Sequence, residues 1–250
     1  MFLRWLSRRL VAYLSKQIQC HSVRTSTWEA IQATIKPGDV LLVEGDTRIS
    51  TAIKYLTQST WSHAALYLGP DAGLETGESG ESHVLVEADL EAGIRSLPLS
   101  FYRNNHTRIC RPLGLSEEDI ATLTTYSKSR LGHQYDLKNV WDLARYLCPT
   151  PPVPTRYRRS MLALGSGDPS RAICSTFIAQ GFQSIRYPIL PVQLDEPSDS
   201  AIAGTWQRAS FQVRHHSLFT PRDFDASPYF EVIKPTLAQG FDFRQLRWVD

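Results

Sequence analysis

The stretch Trp61–Gly69, WSHAALYLG, decides the fold because it sets a histidine in a run with the composition of a buried β-strand. Alternate residues of a strand point to opposite faces of a sheet, so His63, Ala65 and Tyr67 share one face. We expect the small Ala65 to leave room for a partner helix to bring a sulfur close to the imidazole. A histidine alone on a strand is more often structural than catalytic, so its role depends on the rest of the chain.

A cysteine much further along the chain is the candidate partner of that histidine. Ile173–Phe182, ICSTFIAQGF, is predicted to be an apolar helix with Cys174 in its first turn, after Asp168 or Ser170 as a cap. The unpaired amides and the positive end of the helix dipole stabilise a thiolate there, and the Cys174 amide would donate to a substrate oxyanion. The alternative is that Cys174 is a small core residue, which is the usual fate of a free cysteine.

Glu87 is the candidate third member of the site. It interrupts the apolar strand predicted at Val84–Ala88, on the face that it shares with Leu85. A buried acid needs a partner. Hydrogen-bonded to the far nitrogen of His63, Glu87 would fix the tautomer of the imidazole and stabilise the imidazolium. A solvated strand face is the alternative interpretation.

The rest of the chain supplies further strands first and helices afterwards. Strands are predicted at 40–43, 62–68, 84–88, 93–98 and 107–112, and helices at 28–35, 50–56, 116–130 and 136–147. This order predicts an α+β fold. We expect residues 28–250 to form a single domain in which 148–170, rich in Pro, Arg, Gly and Ser, is a loop inserted before the cysteine helix.

The composition is that of an ordinary globular protein. The chain has 250 residues, of which 42% are hydrophobic and 21% charged, with a net charge of +2. A chain of this size can bury a substantial core, and without a clustered basic face no nucleic-acid partner is predicted. The four cysteines, Cys20, Cys110, Cys148 and Cys174, have neither disulfide-framework nor metal-site spacing, so no metal or cofactor is predicted. Free thiols indicate a cytoplasmic location.

The first 27 residues are predicted to form a basic amphipathic helix or extension. They contain five basic residues and no acid, and apolar residues recur near helical spacing; the basic residues are Arg4, Arg8, Arg9, Lys16 and Arg24. Three interpretations stay open. An Arg-rich start without acids resembles an organelle transit peptide. Residues 1–20 would lie on an anionic membrane surface, which makes the protein peripheral to a membrane, or the apolar stripe would pack on the domain.

Taken together, these segments resemble the permuted branch of the NlpC-type papain-like cysteine hydrolases, especially the YiiX-like group. The resemblance is carried by PGDVLL (37–42), WSHAALYLG (61–69), VEA (86–88) with Gly93–Ile94, GHQYD (132–136), ICSTF (173–177) and TPRDF (220–224). Papain-like enzymes usually place the cysteine first, and here the histidine comes first, which indicates circular permutation because geometry and not chain order defines a site. The resemblance implies an antiparallel sheet packed against helices that include the nucleophile helix.

The same resemblance implies that Cys174, His63 and Glu87 are the catalytic residues. The implied reaction is cleavage of an amide or peptide bond through a thioester acyl-enzyme. A lipid-directed acyltransferase, phospholipase or thioesterase, similar to the lecithin retinol acyltransferase relatives, is the alternative, favoured by the basic N-terminus. A catalytically silent binding module of the same fold is a third candidate. The predicted substrate is therefore a peptide, an amide or a lipid, and the sequence leaves the oligomeric state unknown.

Overall fold

All five predicted strands form in one antiparallel sheet. The computed structural model describes residues 13, 16–17, 25–77, 80–89, 92–134, 173–193, 211–212, 214–238, 240, 242 and 244. The strands in these residues are β1 Val40–Glu44, β2 His63–Tyr67, β3 Leu85–Asp89, β4 Gly93–Leu97, β5 His106–Pro112, β6 Val192–Gln193, β7 Phe211–Gln212 and β8 Phe230–Ile233. The main sheet has six strands in the order β4-β3-β2-β1-β5-β8, and β6 pairs with β7 separately.

Six α-helices accompany the sheet in the described residues. They are α1 Trp28–Thr34, α2 Arg48–Thr57, α3 Glu117–Ser129, α4 Ile173–Ser184, α5 Pro221–Ala226 and α6 Pro235–Ala238. The predicted cap of α3 is confirmed: Ser116 and Asp119 form a reciprocal capping box. Thr220 and Asp223 form a second such box at the start of α5. An antiparallel sheet with helices is the predicted α+β fold.

The two faces of the sheet carry separate apolar cores. The core on the α4 side contains Val40, Leu42, Ala64, Leu66 and Val86 from the sheet and Phe177, Ile178 and Phe182 from α4. The core on the other side contains Leu41, Val43, Ala65, Leu85 and Ile109 from the sheet, with Ile31, Ile35, Leu99 and Tyr102. Strand alternation produces this division. Because α4 covers the face of Ala64 and Leu66, this helix is held against β2.

Two features of the sheet differ from the prediction or extend it. The tail after residue 215 contains a strand that the sequence analysis did not identify. This strand, β8, pairs with β5 and forms one edge of the main sheet. A 3₁₀ turn at Leu99–Tyr102, also not predicted, follows β4. This turn carries Tyr102 into the core under β3, where the residue becomes part of the site described below.

The predicted N-terminal helix and the predicted insertion fall largely where the structure is not described. Residues 148–170, like the predicted helix at 136–147, lie outside the described residues. Of 1–27, the described part touches the start of α2: Gln17 forms a β-bridge with Thr47. The Arg48 amide donates to the Lys16 carbonyl at 3.2 Å, and its guanidinium lies 3.9 Å from the centre of the Tyr13 ring. This part of the N-terminal stretch therefore packs on the domain.

Candidate active site

The first two predicted site residues meet where the pairing of two strands stops. β2 and β3 pair only at Leu66 with Val86 and at Tyr67 with Leu85, although both strands continue beyond these pairs. His63 lies at the start of β2 and Glu87 lies diagonally across on the same face. Their side chains bridge the unpaired stretch, with 2.8 Å between His63 Nε2 and Glu87 Oε2.

The third predicted residue reaches this place from α4. Cys174 is the second residue of that helix and is 4% exposed. Its thiol lies beside the His63 imidazole and the Ala64 backbone amide, both of which lower its pKa, and Sγ is 4.0 Å from the Ser175 hydroxyl. Because Nε2 of His63 is bonded to Glu87, Nδ1 is the nitrogen left to face the sulfur. The structure therefore brings Cys174, His63 and Glu87 together.

The alanine that makes room for the helix is not the one expected from the strand pattern. Ala65 is buried in the core on the side away from α4, beside Leu41 and Leu85. Ala64 lies in the core shared with α4, and its backbone amide helps to lower the pKa of the Cys174 thiol. The expectation for Ala65 was wrong because it placed the helix on the face of the imidazole. The helix lies on the other face, and Cys174 meets His63 at the beginning of the strand.

Glu87 has two partners that the sequence analysis did not identify. Arg95 donates to Glu87 Oε1 through Nε at 3.0 Å and through Nη2 at 2.8 Å. The Tyr102 hydroxyl donates to Glu87 Oε2, the same oxygen that His63 contacts. Glu87 is 1% exposed, so these groups replace water around the carboxylate. A signal for Arg95 was present, since a basic residue opposite an acid in a β-hairpin is a natural cross-strand pair.

The ionised forms of Glu87 and His63 stabilise each other. Burial raises the pKa of Glu87, but His63, Tyr102 and Arg95 outweigh burial and bring it to about 2. Burial lowers the pKa of His63, but the negative charges of Cys174 and Glu87 hold it well above its usual value. These shifts favour a row of alternating charges: thiolate, imidazolium, carboxylate and guanidinium.

The pKa of the Cys174 thiol is also changed by these neighbouring groups. Burial raises its pKa, whereas the charge and hydrogen bond of His63, followed by the Ala64 amide and the Ser175 hydroxyl, bring the pKa below its usual value. The position of Cys174 in the first turn of α4 adds unpaired helix amides around the sulfur. A low thiol pKa beside an imidazole is the arrangement that thiol nucleophiles require.

Known proteins resemble the chain over a defined stretch. Residues 34–151 match the family of permuted papain-like amidase enzymes, YaeF/YiiX, C92 family. This range includes His63 and Glu87 and ends before Cys174. The match confirms the resemblance to the YiiX-like permuted papain-like family. It supports an enzyme of the cysteine hydrolase kind.

Among solved structures, the chain is similar to the metalloprotein YiiX from Escherichia coli O157:H7. The similarity has a TM-score of 0.45 and 15% sequence identity, and it covers 80% of this chain and 96% of that one. No curated protein matches the chain. Within the described ranges, no group of three or more His, Cys, Asp and Glu side chains is arranged to hold a metal ion. No helix in those ranges is long and apolar enough to cross a membrane.

Proposed function

We propose that the protein is a cysteine hydrolase that cleaves an amide or peptide bond, with Cys174 as nucleophile, His63 as proton carrier and Glu87 as orienting carboxylate. The observation that carries the proposal is the double contact of His63, with the Cys174 thiol on one side and Glu87 on the other. The amidase description of the matching family supports the choice of bond.

The first half of the proposed reaction forms a thioester. The Cys174 thiolate attacks the carbonyl carbon of the substrate while the His63 imidazolium holds the proton that came from the thiol. The C–N bond then breaks, the His63 proton passes to the departing nitrogen, and the amine leaves. The acyl group remains on Cys174 as a thioester.

The second half restores the enzyme. Water attacks the thioester carbonyl and gives a proton to His63, which is now neutral and able to accept it. The C–S bond breaks, the carboxylic acid leaves, and the thiolate–imidazolium pair is present again. Throughout both halves Glu87 keeps the Nε2–H tautomer of His63 and stabilises its charge. The Cys174 amide, in the first turn of α4, is the proposed donor to the oxyanion.

The location and the lipid alternative belong to the same proposal. We place the reaction in the cytoplasm, where free thiols stay reduced. The basic residues of 1–20 favour a second candidate, acyl transfer from a lipid at a membrane surface, because anionic headgroups attract such a segment. Both candidates use the same thioester, so they differ in the donor and the acceptor of the acyl group.

The test compares substrate classes on one enzyme. Purified full-length protein is offered N-acyl amides and short peptides in one arm and phospholipid vesicles in the other, each with Cys174→Ala as control. Acid quenching preserves the thioester, and peptide mass spectrometry locates the acyl group. We expect amine release and an acyl group on Cys174 in the amide arm.

Three results would overturn the amide assignment. Acylation of Cys174 by phospholipid, with amides left intact, would favour the lipid acyltransferase. Amine release that persists in Cys174→Ala would remove this cysteine from the reaction. A protein that acts on neither class and forms no adduct would be the catalytically silent binding module.

A further inference from the structure

The carboxylate of Glu87 has every acceptor position filled. Oε1 receives the Nε–H and Nη2–H groups of Arg95, and Oε2 receives His63 Nε2–H and the Tyr102 hydroxyl. An ionised carboxylate offers about four acceptor positions. Only one of the four bonds, the one from His63, is used in the proposed mechanism. The other three come from Arg95 and Tyr102.

Arg95 fixes the orientation of the Glu87 carboxylate. It lies directly opposite Glu87 in the pairing of β4 with β3, and both of its bonds end on Oε1. Any rotation that takes the carboxylate out of this plane, away from His63, would weaken both bonds at once. Arg95 Nη2 is also 3.6 Å from Asp89 Oδ2, which fixes the guanidinium from the side of β3.

Tyr102 acts on the other oxygen. Its hydroxyl donates to Oε2 from the 3₁₀ turn Leu99–Tyr102, and its ring centre is 6.1 Å from that of His63. The Phe101 ring packs edge-on against Tyr102 at 5.1 Å and lies under the Arg95 guanidinium at 5.3 Å. The two donors to Glu87 are thus joined through one aromatic side chain.

We infer that Arg95 and Tyr102 are positioning residues that keep Glu87 ionised and turned toward His63, so that the reactivity of Cys174 depends on both. The inference rests on the proposed function, in which Cys174 is the nucleophile. Glu87 is buried, and a buried carboxylate without its cation takes up a proton more readily. A protonated Glu87 would no longer stabilise the His63 imidazolium, and the thiolate would become less favourable.

The groups that surround His63 of β2 and titrate with it come from four other elements. In the described residues, Cys174 faces His63 from α4, Glu87 and Asp89 come from β3, Arg95 comes from β4, and Tyr102 comes from the turn after it. The positive charge of Arg95 is the one that can be removed without touching either His63 or Cys174. Arg95 and Tyr102 can therefore be substituted while the proposed reacting groups, His63 and Cys174, stay in place.

The experiment measures the rate of Cys174 alkylation by iodoacetamide from pH 5 to 9 in the full-length protein. Peptide mass spectrometry follows the Cys174 peptide separately from the other cysteines. The variants are Arg95→Met, Arg95→Lys and Tyr102→Phe, beside wild type and His63→Ala. Tyr67→Phe is the matched control, because it removes a phenol hydroxyl from the same sheet face without a bond to Glu87. Circular dichroism and urea unfolding verify that each variant is folded.

We expect Arg95→Met to slow alkylation at pH 6 by about tenfold and Tyr102→Phe by about threefold, as the pH midpoint of the reaction moves upward. Arg95→Lys should restore most of the rate, since it keeps the positive charge. Tyr67→Phe should react as wild type does. A merely structural role would lower stability without moving the pH midpoint.

The possible failures are distinguishable. If wild type shows a reactive thiol that His63→Ala abolishes, but folded Tyr102→Phe and Arg95→Met keep the wild-type pH midpoint, the positioning inference is wrong and the proposed function stands. If Cys174 in wild type reacts like an ordinary thiol at every pH, the proposed function fails and the inference fails with it. Because Tyr102→Phe is conservative, misfolding of Arg95→Met alone leaves a decisive arm.

Discussion

The pKa values of two buried cysteine thiols in this protein are shifted in opposite directions. Cys110 in β5 is fully buried, and burial, reinforced by Asp225, raises the pKa of its thiol. Cys174 at the start of α4 is almost as buried, yet the pKa of its thiol is lowered. The first cysteine is surrounded by the core, whereas the second is beside His63 and the amide of Ala64. Burial therefore does not distinguish a nucleophile from a core residue, and the neighbouring charges and donors do.

The strongest test of this comparison is to remove each sulfur in turn. We expect Cys174→Ala to lower kcat/KM for an amide substrate by about 10⁴-fold or more, the order found when a catalytic nucleophile is lost. Cys110→Ala is the matched control and should keep the activity of wild type within about twofold, since surroundings far from the reacting atoms change little. Equal losses in two folded variants would contradict the assignment of Cys174.

The second test removes the charged neighbour of Cys174, so that, within the described part of the chain, its thiol lacks an imidazole beside it, as that of Cys110 does. His63→Ala should slow iodoacetamide modification of Cys174 at pH 6 by about 100-fold, because an opposite charge within bonding distance moves a pKa by roughly 1–3 and each step of one is tenfold in thiolate. His133→Ala, which removes an exposed histidine, should leave the rate unchanged. A rapid reaction at pH 6 in folded His63→Ala would show that the helix amides alone activate the sulfur.

The sequence pattern was enough to predict the elements that position the site. Alternation of apolar residues identified the strands around His63 and Glu87, and the acid that interrupts a buried run identified Glu87 as a candidate partner of the imidazole, in agreement with their 2.8 Å contact. The capping signal at Ser116 identified the start of α3. These features depend on neighbours close in the sequence, which is why a single chain was sufficient.

Other features depend on contacts that a local pattern does not contain. The pattern could not show which face of β2 the helix α4 covers, so the choice between Ala64 and Ala65 was wrong. Tyr102 lies in a short 3₁₀ turn without helical or strand periodicity, and its bond to Glu87 is made only when the chain folds under β3. Strand β8, Phe230–Ile233, escaped detection because it is a short edge strand in which only Phe230 is buried, so it lacks a clear apolar pattern.

The third prediction concerns the carboxylate that supports the difference between the cysteines. The pKa of Glu87 falls from an ordinary 4.5 to about 2, so its ionisation stabilises the fold above pH 4.5 and this contribution is lost as the pH falls toward 2. Its size is about 3 kcal/mol, from 1.36 kcal/mol for each step of one in pKa. Urea unfolding between pH 7 and 2.5 should show that Glu87→Gln lacks this part of the acid-induced loss.

Asp39 gives the control for that measurement, since it is an equally buried acid bonded to an arginine. Arg111 donates to both of its oxygens, at 2.9 and 2.7 Å, but burial outweighs these bonds and raises the pKa of Asp39. An acid with a raised pKa in the folded state loses stability as the pH rises, which is the opposite sign. Asp39→Asn should therefore keep the acid-induced loss that Glu87→Gln removes. The same pH dependence in wild type and Glu87→Gln would contradict the low pKa.

The smallest expected effect is on the core cysteine itself. Cys110→Ala removes one sulfur from a fully buried position between β1 and β8, and we expect it to lower the free energy of unfolding by about 1–2 kcal/mol, as the loss of one buried apolar group does. Cys110→Ser has nearly the volume of the native side chain but buries a hydroxyl, so it should cost more than Cys110→Ala wherever that hydroxyl finds no partner. Urea unfolding at pH 7 measures both variants. If Cys110→Ser were as stable as wild type, the core around β5 would supply a hydrogen bond to this position. The surroundings of both cysteines would then offer hydrogen bonds, and they would differ only in the charged groups near the sulfur.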